Sequence, residues 1–125
     1  MMTISEVSAK YGVSQDTLRY YERIGLIPSV PRRPNGIRDY DETSCGWVKF
    51  IRCMRSAGLQ IEALIEYVTL FGKGDATRGA RKAILIDQRE SLLKRMADMQ
   101  ACLDRLDVKL EHYSDVEAST EKFRR

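Results

Sequence analysis

Five arginines, Arg19, Arg23, Arg32, Arg33 and Arg38, fall in a stretch of the chain whose only acid is Glu22. The guanidinium is a rigid fork of donors that matches phosphate oxygens and the guanine edge, so this cluster points to a polyanion. Residues 1–18 hold one lysine, no arginine and two acids. The net charge of +3 is too small to carry an argument, and its uneven distribution is the informative part. Read by itself, such a cluster is also what a solvated basic face looks like. The remaining reactive groups are sparse. Cys45, Cys53 and Cys102 make an odd set without paired spacing, which suits a reducing compartment, and His112 is the single histidine. No glycine-rich phosphate loop and no nucleophile–base signature is present, which argues against an enzyme and against a bound cofactor.

The arginines need elements to hold them. Thr3-Ile-Ser-Glu6 fits a capping box and predicts a first helix from about Ile4, with Ile4, Val7 and Tyr11 on one face. Gly12 breaks it, Ser14 caps a second helix with Asp16 in its first turn, and Gly25 followed by Pro28 ends that helix. Two short helices joined by a glycine-containing turn are a helix-turn-helix candidate. Leu18, Tyr21 and Ile24 point inward on this reading and Arg19, Tyr20 and Arg23 outward, with Tyr20 and Tyr21 able to exchange roles. Asn35-Gly36 predicts a two-residue hairpin turn, and prolines at 28, 31 and 34 confine that hairpin to an edge ribbon or wing.

Asp41 should cap a third helix reaching Ala57, with Gly58 as its stop and Trp47, Val48, Phe50, Ile51 and Met54 on its buried side. A fourth is expected from Gln60 to Phe71, with Ile61, Leu64, Ile65 and Val68 inward. Gly72-Lys-Gly74 reads as a joint. From Asp75 a long helix free of proline is expected to run to about Tyr113. Leu92, Met96, Met99, Leu103, Leu106, Leu110 and Tyr113 alternate four and three apart, and the pattern extends back to Leu85 with Arg89 in the seam. Such a strip is a coiled-coil seam, and a small head cannot cover it, so a second copy is the simplest partner. Spacing alone leaves the coil orientation open. The chain therefore divides into a head (1–71), a joint (72–74), a dimerisation helix (75–113) and a polar, frayed tail (114–125). No apolar run approaches the roughly 20 residues of a membrane span, and the first residues lack the basic and apolar regions of a secretory signal. Both point to the cytoplasm.

Thr-Leu-Arg-Tyr-Tyr-Glu-Arg-Ile-Gly-Leu-Ile-Pro at 17–28 and Arg-Arg-Pro-Asn-Gly-Ile-Arg-Asp-Tyr at 32–40 resemble the MerR family of bacterial transcription regulators. The likeness covers residues 3–71, and the long helix agrees in kind. One departure is Ile37, where many members carry tyrosine. The resemblance implies a mostly α-helical protein, with a winged helix-turn-helix head on a helix that forms an antiparallel coil in a homodimer. It also implies binding to promoter DNA whose spacer is too long, which the dimer bends and untwists so that RNA polymerase can engage both elements. DNA deformation is the physical cost of that act. By the same likeness Thr17, Arg19, Tyr20, Tyr21 and Arg23 meet the major groove, with Ser14 beside them. Arg32, Arg33, Asn35, Gly36, Arg38 and Tyr40 act from the wing and Arg55 from the next helix.

The inducing signal is the harder reading. The dozen residues after Tyr113 are too few and too polar to enclose a drug. No cysteine lies at 76–81 or 113–125, where metal-sensing members place ligands, and His112 alone does not make a site. A regulator of the same family that responds to a metal shared across a dimer or to a small ligand remains the alternative, and a coiled-coil module that holds DNA or partners without regulating transcription is the alternative from another class. The segment Phe-Ile-Arg-Cys-Met-Arg-Ser-Ala-Gly-Leu resembles the branch linked to reactive aldehydes and nitrosative stress, in which a lone cysteine here, Cys53, is the proposed sensor. Arg52 and Arg55 flank it and could favour the thiolate. The competing reading is an inert core thiol, since Cys53 lies three residues after Phe50 and four before Ala57. Cys45, near a helix start, reads as incidental, and Cys102 as seam flank.

Overall fold

The computed structural model describes residues 1–123, with side chains through Asp115. Its order is α1 (Ile4–Tyr11), α2 (Gln15–Ile24), a wing, α3 (Glu42–Ser56), α4 (Ile61–Gly72), a 3-10 turn (Asp75–Thr77) and α5 (Arg78–Phe123). A compact body spans Met1–Arg89 and a second unit begins at Glu90. The body thus takes in the first turns of α5, beyond the expected head of 1–71.

Local chemistry sets the helix ends. The Thr3 hydroxyl accepts from the Glu6 N–H (3.2 Å) while the Glu6 carboxylate accepts from the Thr3 N–H (2.9 Å), a complete capping box. Ser14 accepts from the Thr17 N–H at 3.1 Å, and Asp41 from the Ser44 N–H at 2.8 Å. Gly25 ends α2 with φ +82°, and the N–H of Leu26 returns to the Tyr21 carbonyl at 2.9 Å. That reversal delivers Leu26 and Ile27 into the core beside Val7, Leu18, Tyr40, Val48, Ile51 and Leu64.

Four expectations need correction. The wing turn holds three residues, not two. Arg33 N–H donates to the Ile37 carbonyl and Gly36 N–H to the Arg33 carbonyl, both at 2.8 Å. Gly36 alone takes a positive φ, +85°. Pro34, with its φ held near −65°, suits the first turn position, and the left-handed Gly36 completes a bulged hairpin. The wing pairs only through isolated bridges, Arg32 with Arg38 and Met2 with Tyr40. On α3, Val48 and Ile51 are buried while Trp47, Phe50 and Met54 stay half-buried, and Ser44 and Cys45 are buried in their place. α5 begins after the 3-10 turn rather than at Asp75. It also continues past Tyr113 to Phe123, so the frayed tail is not seen over 114–123, and Arg124 and Arg125 lie outside the described residues. No glycine or proline follows Gly79 in this helix, and extension is favourable once a helix is nucleated.

Candidate nucleic-acid interface

α2 presents a polar outer face because Leu18 and Tyr21 take the inner one. Tyr21 is 8% exposed and Tyr20 40%, which settles which tyrosine faces out. Tyr20 carries Arg23 against its ring, guanidinium carbon 5.4 Å from the centroid. Arg19 is steered along the helix by Asp16 (3.0 Å) and Gln15 (3.4 Å). The exposed residues of α2 are therefore Asp16, Arg19, Tyr20 and Arg23, with half-buried Thr17 and exposed Ser14 at its start.

The wing arginines are held in differing degrees. Arg32 donates to the Gly36 carbonyl at 2.9 Å, while Arg33 approaches Asp39 at 3.7 Å. The Asn35 side chain accepts from the Ile37 N–H at 3.1 Å and stiffens the tip. Arg38 donates through Nε to Glu22 at 2.7 Å. Tyr40 does not join the exposed set. It is fully buried, its hydroxyl has no hydrogen-bond partner among the described residues, and its backbone pairs with Met2 at 2.8 and 3.0 Å. Its aromatic ring belongs to the core under the wing, so the expected wing contact by its side chain is corrected to an anchoring role. Tyr21 is likewise a core residue, with an edge on the surface described next.

Gly12, Val13, Ser14, Thr17, Tyr21, Arg52, Arg55 and Ser56 line a hollow of about 500 Å³. Burial pushes the Tyr21 phenol up, while the Arg55 and Arg52 charges pull the other way. The phenol therefore keeps its proton at neutral pH and remains a donor. Hydroxyls and two guanidinium groups around one concavity fit a phosphate oxygen. One arm of Arg55 is committed to the Leu59 carbonyl at α3's end (2.6 Å). Sequence reasoning placed Arg55 here but missed Arg52, whose terminal nitrogen lies 3.5 Å from where a Cβ on Gly12 would sit. The signal was available, since residues three apart share a helix face. It also missed Glu22, whose carboxylate accepts from both Arg38 and the Val30 N–H (2.9 Å).

Cys53 is exposed, against the core-thiol reading, while Cys45 is buried with its sulfur 3.9 Å from the Met2 sulfur. Along α5, Met96, Met99, Leu103, Leu106, Leu110 and Tyr113 are all at least half exposed. Leu85 and Leu92 are half-buried. Among the described residues, no group of three or more His, Cys, Asp or Glu could hold a metal ion, and no helix is long and apolar enough to cross a membrane.

A capped helix pair, an arginine-edged wing and a cationic hollow on one body define a winged helix-turn-helix DNA-binding protein. The profile of the MerR HTH family regulatory proteins matches residues 2–70, and that of the MerR DNA-binding region matches 46–108. The chain belongs to the MerR family of transcription regulators. It is 58% identical over 93 residues to the HTH-type transcriptional regulator AdhR of Bacillus subtilis, covering 74% of this chain and 66% of that protein. The crystal structure of a MerR family regulator from Listeria monocytogenes superposes with a TM-score of 0.92 at 47% identity, over 97% of this chain and 93% of that one. HiNmlR, a MerR family regulator lacking the sensor domain and solved bound to promoter DNA, gives 0.84 at 27% identity, over 93% and 92%.

Proposed function

We propose that this protein works as a homodimer that bends and untwists an overlong promoter spacer, and that Cys53 switches it by reacting with an aldehyde or related electrophile. The observation that carries the DNA reading is the likeness over nearly the whole chain to a regulator solved on promoter DNA. In this reading Thr17, Arg19, Tyr20 and Arg23 enter the major groove from α2. Arg32, Arg33, Asn35, Gly36 and Arg38 work from the wing. Ser14, Tyr21, Arg52 and Arg55 hold a backbone phosphate in the hollow. The division into a head (1–71), a joint (72–74) and a dimerisation helix (75–113) serves that act. Leu85 and the seam from Leu92 to Tyr113 join two copies as an antiparallel coil, so that two heads face DNA related by twofold symmetry. The bend is offset by contacts to the backbone, and RNA polymerase, in the bacterial cytoplasm, then engages the realigned elements.

The switch rests on exposure. Cys53 is open to solvent on the same helix as Arg52 and Arg55. Addition to an aldehyde forms a carbon–sulfur bond, and the thiol proton ends on the new hydroxyl. A covalent group on α3 would bias the helix that supports the hollow. Transcription in vitro from the promoter beside this gene, with and without formaldehyde or methylglyoxal, tests it, with wild type and Cys53→Ser side by side and intact mass recorded. Induction and a mass adduct in wild type alone support the switch. Equal behaviour of the two proteins removes Cys53 as sensor and leaves DNA binding standing.

A further inference from the structure

Glu22 sits on the inner side of α2, and its side chain is only 13% exposed. Each carboxylate oxygen has its own partner from a different part of the chain. Oε2 accepts from the Val30 N–H at 2.9 Å, in the segment leaving α2, and Oε1 accepts from Arg38 Nε at 2.7 Å, on the returning arm of the wing. One acid therefore ties the outgoing and the returning arm to the helix that carries Arg19, Tyr20 and Arg23. The wing needs such a tie, because its own backbone pairing at the tip is a single bridge, Arg32 with Arg38. A two-stranded ribbon this short does not hold its own direction.

We infer that Glu22 is a positioning residue for DNA recognition, a two-point latch that sets the angle of the wing to α2 and aims Arg38 at a backbone phosphate. The inference rests on the DNA-binding reading above. Only Nε of the guanidinium is spent on Glu22, and the terminal nitrogens keep the capacity to donate to phosphate. A charge-assisted contact at 2.7 Å between partly buried groups restricts the arginine before DNA arrives, so less freedom is lost on binding. The sign of the effect separates this reading from a simple one. A carboxylate near DNA repels phosphate, so neutralising a merely adjacent acid strengthens binding. Neutralising a latch weakens it.

The test uses the full-length protein and two duplexes, one selected by the wild type from a randomised pool and one of unrelated sequence. Affinity is measured by anisotropy across a range of KCl for wild type, Glu22→Gln, Arg38→Lys and the double variant, with thermal melts of each. Arg38→Lys keeps the positive charge but loses the fork that meets both Glu22 and phosphate. Glu22→Gln is expected to weaken the selected duplex about tenfold, as for one charge-assisted contact, and to lower the salt slope by about one. The double variant should bind no worse than the weaker single one. Tighter binding by Glu22→Gln, an unchanged salt slope, or fully additive losses would overturn the latch. Should Glu22→Gln fail to fold, Arg38→Lys reports on the same contact from the other side, and an unchanged affinity for the selected duplex there overturns it equally. If the wild type selects no duplex and binds neither, the DNA-binding reading itself fails, a result distinct from any difference among variants.

Discussion

Leu103→Ala asks whether the α5 strip is an interface. In the single chain Leu103 is half exposed, at 50%. Full burial of a leucine side chain is worth about 1.5–3 kcal/mol, so covering the open half contributes roughly 1 kcal/mol. A symmetric dimer carries the substitution twice, so the loss is about 2 kcal/mol and the dissociation constant rises about 30-fold. Sedimentation equilibrium over a range of protein concentrations measures that constant directly, with far-ultraviolet circular dichroism to check that α5 persists. Val108→Ala is the control. Val108 is 64% exposed but lies between the seam positions Leu106 and Leu110, off the strip, so its truncation should leave the constant within about threefold. If Leu103→Ala dissociates no more readily than Val108→Ala, the seam does not join two copies, and the symmetry argument for two DNA-facing heads falls with it.

Arg52→Ala should weaken binding to selected and unrelated duplexes alike and lower the salt slope by about one, because a phosphate contact carries no sequence information; a changed sequence preference instead would place Arg52 on a base edge. Gly25→Ala should cost about 1–2 kcal/mol in urea denaturation. The cost comes from the backbone, since φ is +82° and an added Cβ would meet only Ile65 at an ordinary 3.9 Å. The backbone and side-chain hydrogen bonds of Ser44 hold the Asp41 carboxyl below its usual range. Because the folded value is depressed, its contribution is complete above the ordinary carboxylate range and is lost as pH falls through the folded value. Asp41→Asn should therefore lower stability at neutral pH and leave it little changed below the folded value, which flattens the acid limb of the profile; an unaltered limb in pH-dependent melts would refute the assignment. Ser14→Ala should cost about 1 kcal/mol through the lost cap on the Thr17 N–H, and a melt indistinguishable from wild type would refute it.

Much of the head was legible in the residues because its boundaries are set locally. Thr3, Ser14, Asp41, Gly25 and Gly58 act on neighbours three or four residues away, and those distances are the same in any helix. The motif at 17–28 and 32–40 identified the family, and the alternation from Leu92 to Tyr113 identified an uncovered strip. The wing turn was misjudged although its cause is local too, since Pro34 outweighs the preference of Asn35-Gly36. The site divided along a different line. Spacing put Tyr21 inward and Tyr20 outward but left their exchange open, and only packing of the core decided that Tyr20 stays outside. Tyr40 was nominated for a wing surface and lies fully buried beneath it, because its backbone pairs with Met2 at the far end of the sequence. Cys53 was consistent with either face of α3 until the helix buried Ser44, Cys45, Val48 and Ile51 and left Cys53 exposed. Arg52 and Glu22 gained their roles from contacts with Gly12, Val30 and Arg38, which no helical period relates to them. Spacing along a chain determines what each element offers. Which of those groups meets water, and which meets another group, depends on contacts between distant residues, and those form only when the elements pack.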